Sequence, residues 1–469
     1  MGTPVPAPTA RHCQAWPSSA SSRSRAGGQM DTSHKAKVQP RIWSCPVITC
    51  FLKTTSSSVL ELLENFWGRR QGTQAGSEGT AGTYPDASRA ATRAVFALSR
   101  PLLSRCRFLL RPAMLRPAVV IDSGSRFTRG GFAGQRRPQC VLRTVLGQSC
   151  SSGTPWDSGQ HGPALHGLNG DWDAMRTLWG HLLCCCLKVS PEEHPVLLAE
   201  SPSCPAASRV KAAEVLFEGF GVPALHVANT GLLSLCAHGR VTGLAVEAGA
   251  AVCHVTPVCG GQTLRQGTRC LGVAGDHLCG HLRQLLLHSP AEPAALQALS
   301  EQALSRLKEQ CCYVSLDYEA ELRDEGSHHP AMFQTPDGRW ITLGKERFCC
   351  PEPLFRPELL RHSCPGLQQL AGQSLQTVPR HARRQVLGNI VLSGGSSMFP
   401  GFPERMCLEL NLLLQGAGVH IEVLANPGRG TAAWAGGSMA ASLTSFQHTW
   451  MTKGDYQEHG AEYVQVKFQ

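Results

Sequence analysis

Three short stretches of this chain carry residue types suited to holding a phosphate and its counter-ion. The apolar run Ala118–Val119–Val120–Ile121 closes on Asp122 and turns through Ser123–Gly124–Ser125. A second, Leu244–Val246, meets Glu247–Ala248–Gly249–Ala250–Ala251 and resumes as Val252–Val258. The third, Ile390–Leu392, passes Ser393 into Gly394–Gly395 and then a helical stretch, Glu404–Leu414. A strand that ends in an acid and enters a small-residue hairpin is a physical device. Glycine lets backbone N–H groups approach a phosphate, and the acid can hold a magnesium ion through water. A single such hairpin serves equally as a plain β-turn. Two of them, with a strand–Ser–Gly–Gly–helix segment, form a more specific set. The acid–x–Gly echo at Asp122–Gly124 and Glu247–Gly249 also suggests a duplicated unit, on two short matches.

Elements must exist to aim these loops. The runs before Asp122 and around Glu247 are β-prone and continuous, as buried strands are. Ala206–Phe220 has helical composition and stops at Gly221, with Pro223 close behind. Gly231–His238 reads as a helix ended by Gly239. Glu292–Gln310 predicts the longest helix, with Leu296, Leu299, Leu304 and Leu307 near helical spacing. Strands and helices mix throughout, which means α/β or α+β rather than all-α.

The chain has 469 residues, room for about three domains of roughly 150 each. Apolar residues make up 42% and charged residues 17%, so the bulk should fold. The net charge of +10 resides in the leader: residues 1–113 hold 15 Lys+Arg and 5 Asp+Glu, and residues 114–469 hold 29 of each. A neutral body argues against a nucleic-acid-binding face, which needs clustered cations. The leader is rich in Ser, Ala, Gly and Arg and is expected to be disordered. It formally resembles a mitochondrial transit peptide, and the same composition arises when translation starts upstream of the real domain. The 21 cysteines include the neighbouring runs Cys184–Cys185–Cys186, Cys311–Cys312 and Cys349–Cys350, with no CxxC pair or zinc-finger spacing. They read as small buried hydrophobes in a reducing compartment. No secretory h-region and no run of eighteen apolar residues is present, so no membrane partner is expected. The body is expected in the cytosol or nucleus.

Residues 114–469 resemble the actin family, in particular its divergent testis-type actin-like members. The resemblance is carried by VVIDSGSRFTRGGFAG (Val119–Gly134), SPEEHPVLLA (Ser190–Ala199), LKEQCCYVSL (Leu307–Leu316) and Gly344–Cys350. It continues through NIVLSGGSSMFPGFPERM (Asn389–Met406) and WAGGSMAASLTSFQHTWMTKGDY (Trp434–Tyr456). It implies an α/β, actin-like fold: ribonuclease-H-like duplicated domains around a central nucleotide cleft. The implied boundaries are 114–237 for the first domain and 238–431 for the second. Residues 432–469 return to the first, and the small subdomain near 147–172 is shortened. By resemblance, nucleotide contacts fall on Asp122, Gly124, Ser125, Arg129, Gly249, Lys308, Glu309, Gly394, Gly395, Ser396 and Met398. Asp122 is the metal-side acid should Mg-nucleotide bind. Without the family, Lys308–Glu309 would read as a solvated helix face.

Departures from the family bear on function. Arg126 stands at a family glycine, where close backbone approach is resisted by any side chain. Arg129 replaces a lysine with a bulkier planar cation. Ala250 and Ala251 replace a loop aspartate and glycine. Thr230 replaces the water-positioning glutamine, although His254 is retained. Gly430 replaces the lysine beside the adenine. A partner groove is implied along Ala440, Leu443 and Ser445, with Cys236 in place of an aromatic at its back. Arg361 and His362 charge an apolar plug and, with the shortened subdomain, imply poor self-polymerisation. The expectation is a non-catalytic cytoskeletal structural component, cytoplasmic, that binds actin-binding-type or other cytoskeletal proteins. It requires no cofactor, with Mg-ATP or ADP at most a structural ligand. One alternative is an ATP-binding, slowly hydrolysing filament subunit, favoured by Asp122, His254, Lys308 and Glu309. Another is a nuclear actin-related subunit of a chromatin complex, which the neutral body and absence of large insertions do not recommend.

Overall fold

The computed structural model describes residues 116–144, 171–289, 299–324, 329–415 and 421–468. The leader over 1–113 and the shortened segment from 147 to 170 lie outside the described residues.

Two mixed sheets organise the chain. In the first, β1 (Val119–Ser123) pairs antiparallel with β2 (Phe127–Phe132), which pairs with β3 (Cys140–Arg143). Helix α1 (Trp172–Gly180) then leads to β4 (Val196–Glu200), parallel to β1. Helix α2 (Ala206–Glu214) leads to β5 (Ala224–Asn229), parallel to β4. Helix α3 (Thr230–Cys236) follows at once, its start capped by the Asn229 side chain. The second sheet repeats the plan. Strands β6 (Gly243–Ala248) and β7 (Cys253–Cys259) form an antiparallel hairpin, extended by β8 (Gln262–Thr263) and β9 (Arg269–Leu271). After α4 (Gly275–Leu287) and α5 (Glu301–Cys311), a separate hairpin joins β10 (Ala331–Gln334) to β11 (Trp340–Leu343). Helix α6 (Leu367–Thr377) precedes β12 (Ile390–Ser393), which pairs parallel with β6. Helix α7 (Phe402–Leu413) precedes β13 (Val423–Leu424), parallel to β12. In both sheets a central strand thus has a hairpin on one side and parallel strands on the other. The echo of Asp122 and Glu247 in the sequence is an echo of position: each lies at the end of its sheet's central strand.

The strands form where continuous apolar runs were read, since both faces of each sheet are covered. Val119, Val120 and Ile121 are wholly buried, as are Leu244, Ala245 and Val246. Cys253, Cys279, Cys311, Cys312 and Cys350 pack within the second half's core as small apolar groups. One expected element is corrected. The helix read from Glu292 begins only at Glu301, because Ser300 is extended and its hydroxyl caps the Ala303 N–H. Residues 290–298 lie outside the described set.

The last segment closes the first half. Helix α8 (Ala432–Ala441) packs on α3 and β1, and the buried Trp434 donates its indole N–H to the Val120 carbonyl at 3.0 Å. Glycine permits this contact: a Cβ at Gly436 would lie 1.7 Å from the Leu233 carbonyl oxygen. Strand β14 (Met451–Thr452) adds to the sheet edge antiparallel to β5, and Phe468 sits against the His226 ring at 4.7 Å.

Candidate functional site

The ends of the two central strands face each other across a cleft of about 580 Å³. Every expected contact of the nucleotide site lines it: Asp122, Gly124, Ser125, Arg129, Gly249, Lys308, Glu309, Gly394, Gly395, Ser396 and Met398. So do Thr230, Ala250, His254, Gly430 and Arg126. The backbone explains the convergence. Gly394 ends β12 at φ +87°, and a Cβ there would come within 2.3 Å of the Ala248 carbonyl oxygen. This close approach locks the third loop onto the second hairpin. Ser396 Oγ strengthens the lock by donating to the Gly249 carbonyl at 2.8 Å.

The side chains are already engaged. Asp122 accepts from Arg129 at 3.1 Å; burial raises its pKa, and the arginine opposes that shift. Thr230 donates its hydroxyl to Glu247 Oε2 at 2.9 Å, and Ser234 donates to Oε1 at 3.2 Å. His254 Nε2 hydrogen-bonds Ser203 Oγ at 2.9 Å. Lys308 does not sit on a solvated helix face. It is buried, only 4% exposed, and its ammonium donates to the Gly275 carbonyl at 2.6 Å beside the Cys279 sulfur. Glu309, whose side chain is 63% exposed, is the solvated member of that pair. Arg126 extends from the β1–β2 turn to Asp276 at 2.6 Å and to Ser305 at 2.5 Å.

Glu247 is the group whose chemistry the environment changes most. Burial lifts its pKa from 4.5 to about 7, with a further push from Asp122, against the hydroxyls of Thr230 and Ser234. Its effect on stability follows from proton linkage. Between pH 4.5 and 7 the folded state holds a proton that the unfolded state has released, so stability falls as pH rises through this window. Above pH 7 the loss is complete. Glu247→Gln is expected to flatten that slope and to stabilise the protein at pH 8 by about 2 kcal/mol. Denaturant titrations at pH 5, 6, 7 and 8 check this; an unchanged slope in the variant would remove Glu247 as its source.

The chain matches the family model described as actin over residues 115–469. The chain belongs to the actin family. It is 34% identical to human actin-like protein 7B over 422 residues, covering 84% of this chain and 97% of the relative. The mouse actin-like protein 7B gives the same identity and coverage. Human actin-like protein 9 is 38% identical over 370 residues, covering 75% of this chain and 88% of the relative. It is therefore a divergent, actin-like member, and its mixed sheets carry the actin-like fold. Among the described residues no helix is long and apolar enough to cross a membrane.

Within this actin fold the residues expected to line a partner groove differ in exposure. Ala440 is 2% exposed and belongs to the core beneath α8, while Leu443 and Ser445 are half-buried. Cys236 is likewise buried. Arg361 and His362 are exposed, so the Arg361 charge remains in solvent. Sequence reasoning missed Asp276, Ser305 and Ser203 as cleft partners. The available signal was a new cation, Arg126, that needed an anion from elsewhere in the chain.

Proposed function

We propose that this actin-family protein is a non-hydrolysing structural component of the cytoskeleton, cytoplasmic, with its cleft serving to hold the fold rather than to turn over ATP. Two observations support the reading: the Thr230 hydroxyl is spent on Glu247, and Ala250 offers no side-chain oxygen to the second loop. Hydrolysis of a nucleoside triphosphate needs a positioned water and preorganised groups around the developing charge. The residues present do not fit that demand. Asp122 is held by Arg129, and Glu247, raised to about 7, is half neutral at neutral pH. The buried Lys308 is turned to a backbone carbonyl. Cytoskeletal proteins of the kind that bind actins are the expected partners, with self-polymerisation poor.

A second reading, a nucleotide-binding subunit that hydrolyses slowly, draws support from the retained loops. Gly249 and Gly394–Gly395 still frame the cleft, and His254 still lines it. The two readings differ in what the purified protein contains. Full-length protein, denatured and analysed for released adenine nucleotide, is expected to yield well under one equivalent. One equivalent of ADP after incubation with Mg-ATP would select the second reading.

A further inference from the structure

We infer that Arg126 is an internal tie that fastens the two halves of the cleft to each other. This goes beyond the non-hydrolysing reading above and can stand without it. Arg126 belongs to the first half, in the turn between β1 and β2, where its carbonyl accepts the Thr144 N–H at 3.0 Å. Both of its partners belong to the second half. Asp276 lies in the first turn of α4, its own N–H bonded to the Ala250 carbonyl at 2.8 Å. Ser305 lies on α5 and donates its hydroxyl to Glu309 at 3.0 Å, leaving its lone pairs for the guanidinium. Nη2 reaches Asp276 at 2.6 Å, Nη1 reaches Ser305 at 2.5 Å, and Glu309 stands 3.9 Å from Nη1.

Donor and acceptor directions agree at every contact, and both ends are anchored to backbone that is itself held. A cation placed at a family glycine would be a liability in a cleft with no anion to meet it. Here the arginine side chain is only 29% exposed, and the planar fork satisfies two separate helices at once. The same side chain occupies space between the loops that a ligand would have to share. A tie of this kind makes closure a property of the chain alone, sensitive to salt and indifferent to nucleotide.

Amide hydrogen exchange on the full-length protein, without nucleotide, tests it. Arg126→Met is expected to speed exchange about three- to tenfold in peptides covering both the 122–129 hairpin and the start of α4, as loss of one such pair should. Asp276→Asn should do the same, and the double variant should add little, because both remove one interaction. Exchanging the charges, Arg126→Asp with Asp276→Arg, should restore part of the protection. Raising salt from 50 mM to 500 mM should mimic Arg126→Met in the wild type and leave the variant unmoved. Arg136→Met, at an exposed arginine in the same half, should change nothing. Unchanged exchange in Arg126→Met, or faster exchange on one side of the cleft only, overturns the tie. So does a wild-type slowing on adding Mg-ATP that vanishes in Arg126→Met, which would make Arg126 a ligand-binding residue. Phosphate release measured on the same samples judges hydrolysis separately: a hydrolysing wild type whose protection still depends on Arg126 keeps the tie and rejects the non-hydrolysing reading.

Discussion

Phosphate release from Mg-ATP by the full-length protein is expected to run at least about 10²-fold below that of muscle actin assayed alongside. Removing one preorganising group commonly costs about 10²–10³ in rate, and groups that act together lose their effects non-additively. On the non-hydrolysing reading proposed above, two are replaced here. Thr230 is too short to take over from a glutamine, and its hydroxyl is held by Glu247 at 2.9 Å. Ala250 has a methyl group where the resemblance to the family implies a carboxylate. Restoring both, Thr230→Gln with Ala250→Asp, is expected to recover little rate while Arg126 spans the cleft. Adding Arg126→Gly should recover more. Single-turnover phosphate release decides it. A wild-type rate equal to actin's would end the non-hydrolysing reading, whatever the variants do.

The largest loss of stability is expected far from the cleft. Arg405, on α7, makes a two-pronged contact with Glu352 at 2.9 and 3.1 Å, and donates to the Ser315 carbonyl at 2.7 Å. Glu352 is wholly buried and Arg405 nearly so. Burial raises the glutamate's pKa, and the arginine opposes the shift. Removing Glu352 leaves the buried Arg405 with Glu409, at 2.8 Å, as its remaining carboxylate partner, and losing one member of a buried pair costs at most about 3–5 kcal/mol. Glu352→Ala is therefore expected to lower Tm by about 6–15 °C, with the loss centred in the second half. Glu352→Leu combined with Arg405→Met should regain much of that loss, since an apolar pair needs no compensation. A Tm shift below about 2 °C in Glu352→Ala would show that the pair is solvated in solution.

The sequence made the central strands and loops legible because their signals are local. Val119–Ile121 and Leu244–Val246 are continuous apolar runs, and the glycines that follow them have few other uses. Helix α4 escaped notice for an equally physical reason. It begins at Gly275 without a capping side chain and carries Gly280, His277 and His281, all poor helix formers. Its apolar face of Leu278, Leu282 and Leu286 stabilises it only once the core exists. The burial of Lys308 is not legible in the sequence, because exposure depends on what packs above a helix, which periodicity does not encode. Arg126 was visible as an intrusion at a glycine position, yet its partner lies 150 residues on. No local pattern joins two such positions. Only a chain already folded brings them within 2.6 Å.

The return of the last segment to the first sheet sets an order on synthesis. Trp434 reaches Val120 across 314 positions, and β14 completes an edge begun by β5 more than two hundred residues earlier. A chain emerging from the ribosome therefore displays β1, β4 and β5 long before α8 and β14 exist to cover them. The second half, whose strands and helices all lie between β6 and β13, can assemble while the first still waits. Contacts of such separation make folding slow and leave apolar strands open in the interval. Newly made protein should therefore depend on a holding chaperone until the final forty residues are released, and nascent chains stopped before Trp434 should be the ones it retains.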